Sequence, residues 1–251
     1  MRLLFLGTGT STGVPQIRCR CAACTSPDPN DKRLRCSALI KADNGKNILI
    51  DCGPDVRIQL LRAQSPAVDA VLITHSHYDH VGGIDDMRPY CHPFPVDVYC
   101  TDDVERDLRA RVPYCFAEHP YPGVPKLALN RVTPYTKFEA AGVEVEPLTI
   151  LHYKLSILGF RFGKLAYVTD CKAMPEATRE RLKGLDTLVI NALRHEQHIS
   201  HINLCEALEL IEELNPRRAF LTHLSHDMGP QALVKLPPNV AIAHDGLEIE
   251  I

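Results

Sequence analysis

The segment Thr74–Gly83 contains a dense group of side chains that can bind metal. Three histidines and one carboxylate fall within six residues, namely His75, His77, Asp79 and His80. Imidazole and carboxylate together suit zinc, manganese or iron. Such groups would repel one another if protonated, and each would be costly to bury without a partner. A bound divalent metal removes both problems, so the segment predicts a metal centre.

The apolar run Ala70–Ile73 would position this segment. It reads as a short buried strand bounded by polar and glycine residues, and it would carry the histidines at its C-terminal end. Three later apolar runs also end in a residue that can bind metal: His152, Asp170 and His223. Alone, these could be a surface turn residue, a helix cap and a hydrogen-bonded core histidine. Ligand crevices form at the C-terminal ends of strands, so together they predict the other half of one centre.

A second cluster, of cysteines, lies in the irregular segment 17–35. The chain has 251 residues and ten cysteines, which do not make a disulfide scaffold. We expect most cysteines to be small buried hydrophobes, including Cys52, Cys100, Cys171 and Cys205. Cys19, Cys21 and Cys24 are clustered instead. They are either reduced free thiols or ligands of a structural zinc.

Composition limits the classes of partner. The net charge is −3, Trp is absent and aromatic residues make up 6% of the chain, so nucleic acid is an unfavoured partner. The apolar start Met1–Leu6 is too short for a signal peptide or a membrane helix. We therefore expect a cytoplasmic protein with no membrane partner.

The order of apolar runs and turns predicts the architecture. Hairpin turns are expected at 43–45 and 163–164, helices over 54–61, 102–110 and 202–214, and the strands of a second half from about 131–134. No linker or charge block separates the halves. We predict one domain, residues 1–251, in the α/β (α+β) class: a four-layer α-β-β-α sandwich. The proline-rich segment 112–128 is expected to be a lid or substrate wall.

The glycine-rich segment Gly7–Gly13 follows the first predicted strand. A phosphate-binding loop would end in Gly-Lys-Ser/Thr and start a helix, but this segment runs into Val14 and Pro15. A tight turn beside an active site is the better interpretation.

The segment Thr74–Gly83 resembles the signature of the metallo-β-lactamase-fold hydrolases, and the likeness extends over essentially the whole chain. By this resemblance, one metal would be held by His75, His77 and His152. The second would be held by Asp79, His80 and His223, with Asp170 bridging. Asp170 stands where true lactamases use cysteine, which implies phosphoester chemistry. Asp51 resembles the family's first acid. The resemblance assigns Asp51 and Asp79 to the catalytic machinery, with Asp51 as the residue that orients the histidine segment. For Asp51, a turn-capping role is the alternative.

Two further motifs resemble the PhnP phosphodiesterase group. They are the glycine-rich stretch Leu6–Pro15 and the cysteine cluster followed by Arg35–Ser37. The resemblance implies a structural zinc held by Cys19, Cys21, Cys24 and His226, which would join the 17–35 insertion to the C-terminal half. It also implies that His201, before the last helix, acts on the phosphate or the leaving group. A helix-capping or surface histidine is the alternative.

The resemblance implies a complete functional hypothesis. Two catalytic divalent metals, zinc or manganese with iron as a third option, would hold a hydroxide that hydrolyses a small phosphodiester, a cyclic ribose phosphate among the candidates. A homodimer is expected by analogy. A tRNA 3′-processing ribonuclease would need a basic arm. A glyoxalase II-like thioester hydrolase would need a helical domain after His223. A metal-dependent binding module would need a closed metal site.

Overall fold

Two seven-stranded sheets form the centre of the computed structural model, which describes residues 1–251. The first sheet consists of β1 (Arg2–Gly7), β2 (Ser37–Lys41), β3 (Asn47–Ile50), β4 (Ala70–Leu72), β5 (Val96–Cys100), β6 (Leu127–Arg131) and β14 (Glu248–Glu250). Its strand order is β14-β1-β2-β3-β4-β5-β6. Strands β3 to β6 are parallel, so their C-terminal ends share one edge of the sheet.

The second sheet consists of β7 (Phe138–Ala140), β8 (Val143–His152), β9 (Leu155–Phe162), β10 (Leu165–Tyr167), β11 (Thr187–Asn191), β12 (Arg218–Thr222) and β13 (Val240–Ile242). Its strand order is β13-β12-β11-β10-β9-β8-β7. Strands β10 to β13 are parallel, and β7 to β10 form an antiparallel meander. The turn at 163–164 joins β9 to β10 as predicted.

Helices cover the outer faces of the sheets. They are α1 (Ala22–Thr25), α2 (Val56–Arg62), α3 (Tyr78–Val81), α4 (Asp102–Arg111), α5 (Glu176–Leu182) and α6 (Leu204–Leu214). Short 3-10 helices lie at Pro29–Asp31, Ile84–Tyr90, Pro113–Cys115, His226–Met228 and Gln231–Leu233. No helix is long and apolar enough to cross a membrane.

The alternation of side chains along the strands creates the four layers. In β1, Leu3 and Phe5 join a buried cluster with residues of the second sheet, such as Phe160, whereas Leu4 and Leu6 face the helices of the first. Successive side chains in a strand point to opposite faces, so each strand has one face toward the other sheet and one toward the helices. The protein is therefore the predicted α-β-β-α sandwich.

Helix α6 shows how local sequence defines one of these elements. The Asn203 side chain accepts a hydrogen bond from the Glu206 backbone N–H, and the Glu206 carboxylate accepts one from the Asn203 N–H. This capping box starts the helix at Leu204, two residues later than predicted. The helix ends at Leu214, where Asn215 adopts a left-handed conformation with φ of 47°.

One expectation about the halves was wrong. The strand expected near 131–134 is β6, which ends at Arg131 and pairs in parallel with β5, so it belongs to the first sheet. The last strand, β14, also returns to the first sheet and pairs with β1. Pairing partners of parallel strands are distant in sequence, so local patterns do not identify them. Cys205 was also assigned wrongly, because it lies on the exposed side of α6, while Cys52, Cys100 and Cys171 are buried.

The segment 112–128 contains more structure than expected. It includes a 3-10 helix at Pro113–Cys115 and ends in β6. The Tyr114 hydroxyl donates a hydrogen bond to Asp85 over 2.9 Å, which joins this segment to the 3-10 helix that follows the histidine segment. The Arg109 guanidinium lies 4.7 Å from the Phe116 ring centroid. A role as lid or substrate wall stays a prediction.

Candidate metal centre

Strand ends from both sheets meet at one place and bring the expected ligands together. β4 leads into the histidine segment, β8 ends at His152, β10 leads to Asp170 and β12 leads to His223. Candidate ligand atoms lie within 4.8 Å of one another in three sets: His75, His77 and His152; Asp79, Asp170 and His223; His75, His80 and Asp170. All seven predicted ligands therefore share a single site.

The backbone at these strand ends is strained. Asp51, Asp170 and His223 have φ values of 58°, 55° and 55°, in the left-handed region. This conformation costs an L-residue about 1–2 kcal/mol and is common for single residues only at glycine and, to a lesser degree, Asn and Asp. Such strain clusters at functional sites, where the surrounding structure imposes it. Asp51 and His223 directly follow the ends of β3 and β12, and Asp170 lies three residues after the end of β10.

Two orphaned nitrogens test whether this donor set fits a metal. The Nδ1 atom of His75 lies 3.0 Å from the Thr74 hydroxyl, and Nδ1 of His80 lies 2.7 Å from a carboxylate oxygen of Asp51. The opposite atoms, Nε2 of His75 and of His80, are buried and make no hydrogen bond, although carboxylate oxygens of Asp79 and Asp170 lie 3.3 Å from that of His80. A buried unsatisfied polar atom costs about 1–3 kcal/mol. A divalent cation would satisfy both nitrogens, so the residues fit the metal that their types predict.

His152 is oriented in the same manner. Its Nδ1 atom lies 2.9 Å from the backbone carbonyl oxygen of Ser200. That contact leaves Nε2 as the nitrogen available to a metal, as in His75 and His80. Burial lowers the pKa of His152 and lowers that of His75 far below the usual range. Both imidazoles are therefore neutral at physiological pH, which is the form that binds metal.

Asp51 acts through its neighbours. Its carboxylate accepts hydrogen bonds of 2.8 Å from both the N–H and the hydroxyl of Thr74, and it also contacts His80. Burial raises the pKa of Asp51, against the effect of His80. The following loop packs tightly on the histidine segment: a Cβ atom at Gly53 would lie 1.9 Å from the Asp79 carbonyl oxygen. These contacts support the positioning role and place Asp51 behind the ligands.

Asp170 is the most connected residue of the site. One carboxylate oxygen lies 3.3 Å from His80 Nε2 and 3.2 Å from His223 Nδ1, and it accepts a hydrogen bond of 2.7 Å from the Thr169 hydroxyl. The other oxygen lies 3.1 Å from His201 Nε2. Burial opposes a charge here, but His223 and His80 outweigh it and hold the pKa of Asp170 far below its usual range. Asp170 oxygens also lie within 4.8 Å of ligand atoms of His75 and His152, so Asp170 stands between the two sets of ligands.

Sequence reasoning missed Thr10, which the glycine-rich segment brings to the site. Its hydroxyl lies 3.1 Å from Nε2 of His223, while Nδ1 of His223 faces Asp170. The Thr10 N–H donates to the carbonyl oxygen of Leu224, which anchors the segment beside His223. This segment is therefore a turn at the site, and Thr10 fixes which nitrogen of His223 faces the ligands.

A local signal could have revealed part of this supporting layer. A threonine directly precedes three of the expected ligands: Thr74 before His75, Thr169 before Asp170 and Thr222 before His223. Thr74 and Thr169 contact the site through their hydroxyl groups. No comparable signal points to Thr10 or to the Ser200 carbonyl group, because both belong to distant segments.

His201 lies at the edge of the same centre. Its Nε2 contacts Asp170, its ring centroid lies 4.6 Å from that of His152, and its side chain is 11% exposed. Nδ1 lies 3.0 Å from the Ser200 hydroxyl and 3.2 Å from His198 Nδ1. Ligand atoms of His152, Asp170 and His201 also lie within 4.8 Å of one another. The geometry allows His201 to be a proton donor or a further ligand.

The cysteine cluster forms a separate site. Ligand atoms of Cys19, Cys21, Cys24 and His226 lie within 4.8 Å of one another, and Nδ1 of His226 is 3.5 Å and 3.4 Å from the first two sulfurs. The backbone N–H of Cys24 contributes most to lowering the pKa of Cys21, to about 6, whereas burial raises that of Cys24 to about 11. Three thiols and one imidazole suit a closed tetrahedral zinc site.

Comparison with known proteins extends this description. Residues 46–224 match the family model described as "Beta-lactamase superfamily domain". A crystal structure of a diphosphatase from the PhnP family has a TM-score of 0.92 and 38% identity, covering 100% of this chain and 97% of that one. Zn²⁺-bound PqqB from Methylobacterium extorquens shares the fold, with a TM-score of 0.84 and 19% identity over 100% of both chains.

A curated relative is similar over only part of its length. An octanoyltransferase of Porphyromonas gingivalis is 45% identical over 251 residues, which make up 99% of this chain and 51% of that protein. The chain thus spans about half the length of this relative.

Proposed function

This chain belongs to the β-lactamase superfamily, as a metal-dependent hydrolase of the metallo-β-lactamase fold close to PhnP, and we propose that it hydrolyses a small phosphodiester. The observation that carries the proposal is the position of Asp170, which faces His80 and His223 of one set and has an oxygen within 4.8 Å of ligand atoms of His75 and His152 of the other. A carboxylate between two sets of ligands suits a dinuclear centre. Such centres stabilise both oxygens of a displacement at phosphorus.

When bound, two divalent cations would supply Lewis-acid stabilisation of phosphoryl oxygens and an activated water. We assign zinc or manganese, with iron as a third option, to this centre and zinc to the cysteine cluster. One cation would be held by His75, His77 and His152, and the other by Asp79, His80 and His223, with Asp170 contacting both.

The remaining residues orient groups and transfer protons. Asp51 and Thr74 hold the rings of His80 and His75 in place through Nδ1. His201 Nε2 lies 3.1 Å from an Asp170 oxygen, which holds the ring at the edge of the ligand set. From this position we assign His201 to protonation of the departing oxygen or to stabilisation of charge on the phosphoryl group.

A diphosphate bond is the second candidate, because the 38% identical relative is a diphosphatase. The same residues would act on a phosphoanhydride.

Octanoyl transfer is less favoured for this chain. It would need an accessible nucleophile, but Cys36, which contacts the site through Thr169, is buried and burial raises its pKa. Pre-tRNA is unfavoured by the net charge of −3. A small-molecule partner, a homodimer and a cytoplasmic location stay predictions.

A substrate panel tests the proposal. Metal-loaded protein is assayed with bis-p-nitrophenyl phosphate, a dinucleoside diphosphate, a thioester and pre-tRNA, with chelated protein as the control. We expect hydrolysis of the first or second compound only. Thioester hydrolysis without phosphoester hydrolysis would refute the proposal, and cleavage of pre-tRNA alone would replace it with the ribonuclease.

His201 can be tested separately. His201→Ala should retain both catalytic metals and lower kcat by about a hundredfold, because a proton donor is lost. His198→Ala is the matched control, since His198 contacts His201 but not Asp170. Loss of a metal from His201→Ala, measured by elemental analysis, would identify His201 as a ligand. Unchanged turnover would remove it from the mechanism.

A further inference from the structure

The imidazole of His77 differs from the other two imidazoles of its ligand set. Nδ1 of His75 lies 3.0 Å from the Thr74 hydroxyl, and Nδ1 of His152 lies 2.9 Å from the Ser200 carbonyl oxygen. His77 is exposed, and neither of its ring nitrogens is hydrogen-bonded to the protein. Histidines that bind metal almost always donate their other N–H group to a neighbour, which orients the ring. The orientation of His77 must therefore come from its backbone.

Helix α4 holds the backbone directly before His77. The Ser76 hydroxyl donates a hydrogen bond to the Asp107 carboxylate, and the Ser76 carbonyl oxygen accepts one of 3.1 Å from the Arg111 guanidinium. Asp107 and Arg111 are four residues apart on α4, so their side chains lie on the same face of the helix. The two contacts fix the side chain of Ser76 and the peptide group that joins it to His77.

Helix α3 holds the backbone directly after His77. The His77 carbonyl oxygen accepts hydrogen bonds of 3.0 Å and 3.1 Å from the N–H groups of His80 and Val81, and the helix begins at Tyr78. The peptide group after His77 is therefore held by α3 and the one before it by α4. Because the backbone sets the direction of the Cα–Cβ bond, both contacts together decide where an imidazole with no partner of its own points.

Helix α4 has a fixed position on the first sheet and can act as a support. Val104 and Leu108 are buried in the apolar cluster between the helices and this sheet. The Glu105 carboxylate, which is also buried, accepts hydrogen bonds from Arg109 on the same helix and from Arg131 on β6. The face that carries Asp107 and Arg111 is thus held in one place relative to the strand ends.

We propose that Asp107 and Arg111 are positioning residues of the metal centre. Acting through Ser76, they direct the His77 imidazole toward the cation that it would share with the other two histidines of its set. Neither residue contacts the substrate or the cation in this role. The inference rests on the proposed metal-dependent hydrolysis and specifies which residues outside the centre support it. Loss of either contact lets the exposed imidazole turn toward solvent and weakens one catalytic metal selectively.

Metal affinity tests the proposal without turnover. Protein that retains zinc in the cysteine cluster is titrated with Zn²⁺ against a chromophoric chelator, which gives the two catalytic affinities. Asp107→Ala and Arg111→Ala should each weaken one affinity by about tenfold and leave the other unchanged. Asp107→Asn keeps an acceptor for the Ser76 hydroxyl and should retain most of the affinity. Asp103→Asn and Arg106→Ala change exposed residues of α4 that do not contact Ser76, so they are the matched controls.

Two further measurements separate positioning from a general structural role. Substitutions at exposed positions such as these rarely change stability much, so the Tm of metal-free Asp107→Ala and Arg111→Ala should stay within about 2 °C of the parent value. In Co²⁺-loaded Asp107→Ala, the visible absorption of one cobalt ion should change, because its nitrogen ligand is displaced. A lower Tm of the metal-free variants with both affinities reduced equally would show a structural role and would overturn the proposal.

A double-mutant cycle identifies the contact responsible. Ser76→Ala removes the hydroxyl that Asp107 accepts, so the double variant Ser76→Ala/Asp107→Ala should bind metal no more weakly than either single variant. Additive losses would show that Asp107 acts by another route and would overturn the proposal. Affinities equal to the parent in both α4 variants would overturn it while leaving the proposed hydrolysis intact. If the selective loss holds but the parent hydrolyses no phosphoester, the proposed reaction is wrong and the positioning role stands.

Discussion

The histidine–aspartate centre and the cysteine cluster are built by different means. Ligands of the centre lie at strand ends of both sheets, and Asp51 and Thr74 support them from a buried hydrogen-bonded layer. The cysteine cluster stands in an irregular segment next to a core of only three buried residues, Val14, Ala23 and Cys24. The sulfurs of Cys19 and Cys21 contact His226 Nδ1, and those of Cys19 and Cys24 accept hydrogen bonds from the backbone N–H groups of Cys21 and Gln16.

This difference indicates which site the protein needs for folding. Paired strands hold the histidine–aspartate ligands in place before any metal binds, because the buried clusters on both faces of the sheets impose their conformation. The cysteine segment has little buried apolar surface of its own. Metal binding at such a segment contributes directly to folding free energy. Removal of metal from the histidine–aspartate centre should therefore abolish activity, whereas its removal from the cysteine cluster should abolish local order.

The largest effect is expected at Asp170. Asp170→Asn keeps the size of the side chain but replaces one carboxylate oxygen with an amide nitrogen. The oxygen lost is either the one that faces His80 and His223 or the one that faces His201. We expect a loss of about a thousandfold or more in kcat/KM, together with reduced metal content. Circular dichroism should show an intact fold. Asp43→Asn, at an exposed carboxylate, is the control. A variant with near-normal rates would contradict a dinuclear centre.

Removal of one cysteine ligand should affect stability more than chemistry. Cys21→Ser should release one zinc per chain and lower Tm by about 5–10 °C, the shift expected for a few kcal/mol in a chain of this size. Proteolysis should then occur within residues 17–35. Cys205→Ser, which changes an exposed cysteine outside the cluster, should alter neither property. If Cys21→Ser retained all of its metal, the cluster would consist of free thiols.

A smaller effect is expected at Thr10. Thr10→Val removes the hydroxyl that lies 3.1 Å from His223 Nε2 while keeping the shape of the side chain. Affinity for the catalytic metal should fall about tenfold, because the imidazole is no longer oriented. Competition with a chelator measures this directly. Thr10→Ser should restore the affinity, and equal affinity in all three proteins would show that the contact has no role.

The smallest effect is expected at Glu105 on α4. Arg131 and Arg109 donate hydrogen bonds to Glu105 and lower its pKa. A carboxyl group whose pKa is lower in the folded protein adds stability at pH values above its pKa in the unfolded chain. This stability is lost as the pH falls through the pKa of the folded state. Glu105→Gln should cost about 1 kcal/mol or less at pH ~7, since both arginines are half-exposed.

Urea unfolding at several pH values checks this linkage. The difference between Glu105→Gln and the parent protein should shrink as the pH falls below ~4. Glu139→Gln, at an exposed carboxylate on β7, is the control. A difference that grew on acidification would contradict the sign of the shift.

Elements with a local signal could be predicted. The histidine segment is contiguous, so its chemistry can be recognised from the amino-acid sequence, and the Asn203–Glu206 capping box makes α6 recognisable in the same way. Elements that depend on pairing were less accessible: β6 was assigned to the wrong half because its partner, β5, is found only in the folded chain. The left-handed conformations of Asp51 and Tyr153 were also unforeseen, since the chain has no glycine there.

The sequence by itself determined the types of ligand, the alternation that produces the sandwich and the two separate groups of metal-binding residues. Tertiary structure alone decided that Asp170 lies close to ligand atoms of both sets and that Thr10 contacts a histidine 213 positions away. The physical reason is that ligand chemistry belongs to individual side chains. Contacts between distant residues follow from the order and register of the strands, which depend on the packing of the whole chain.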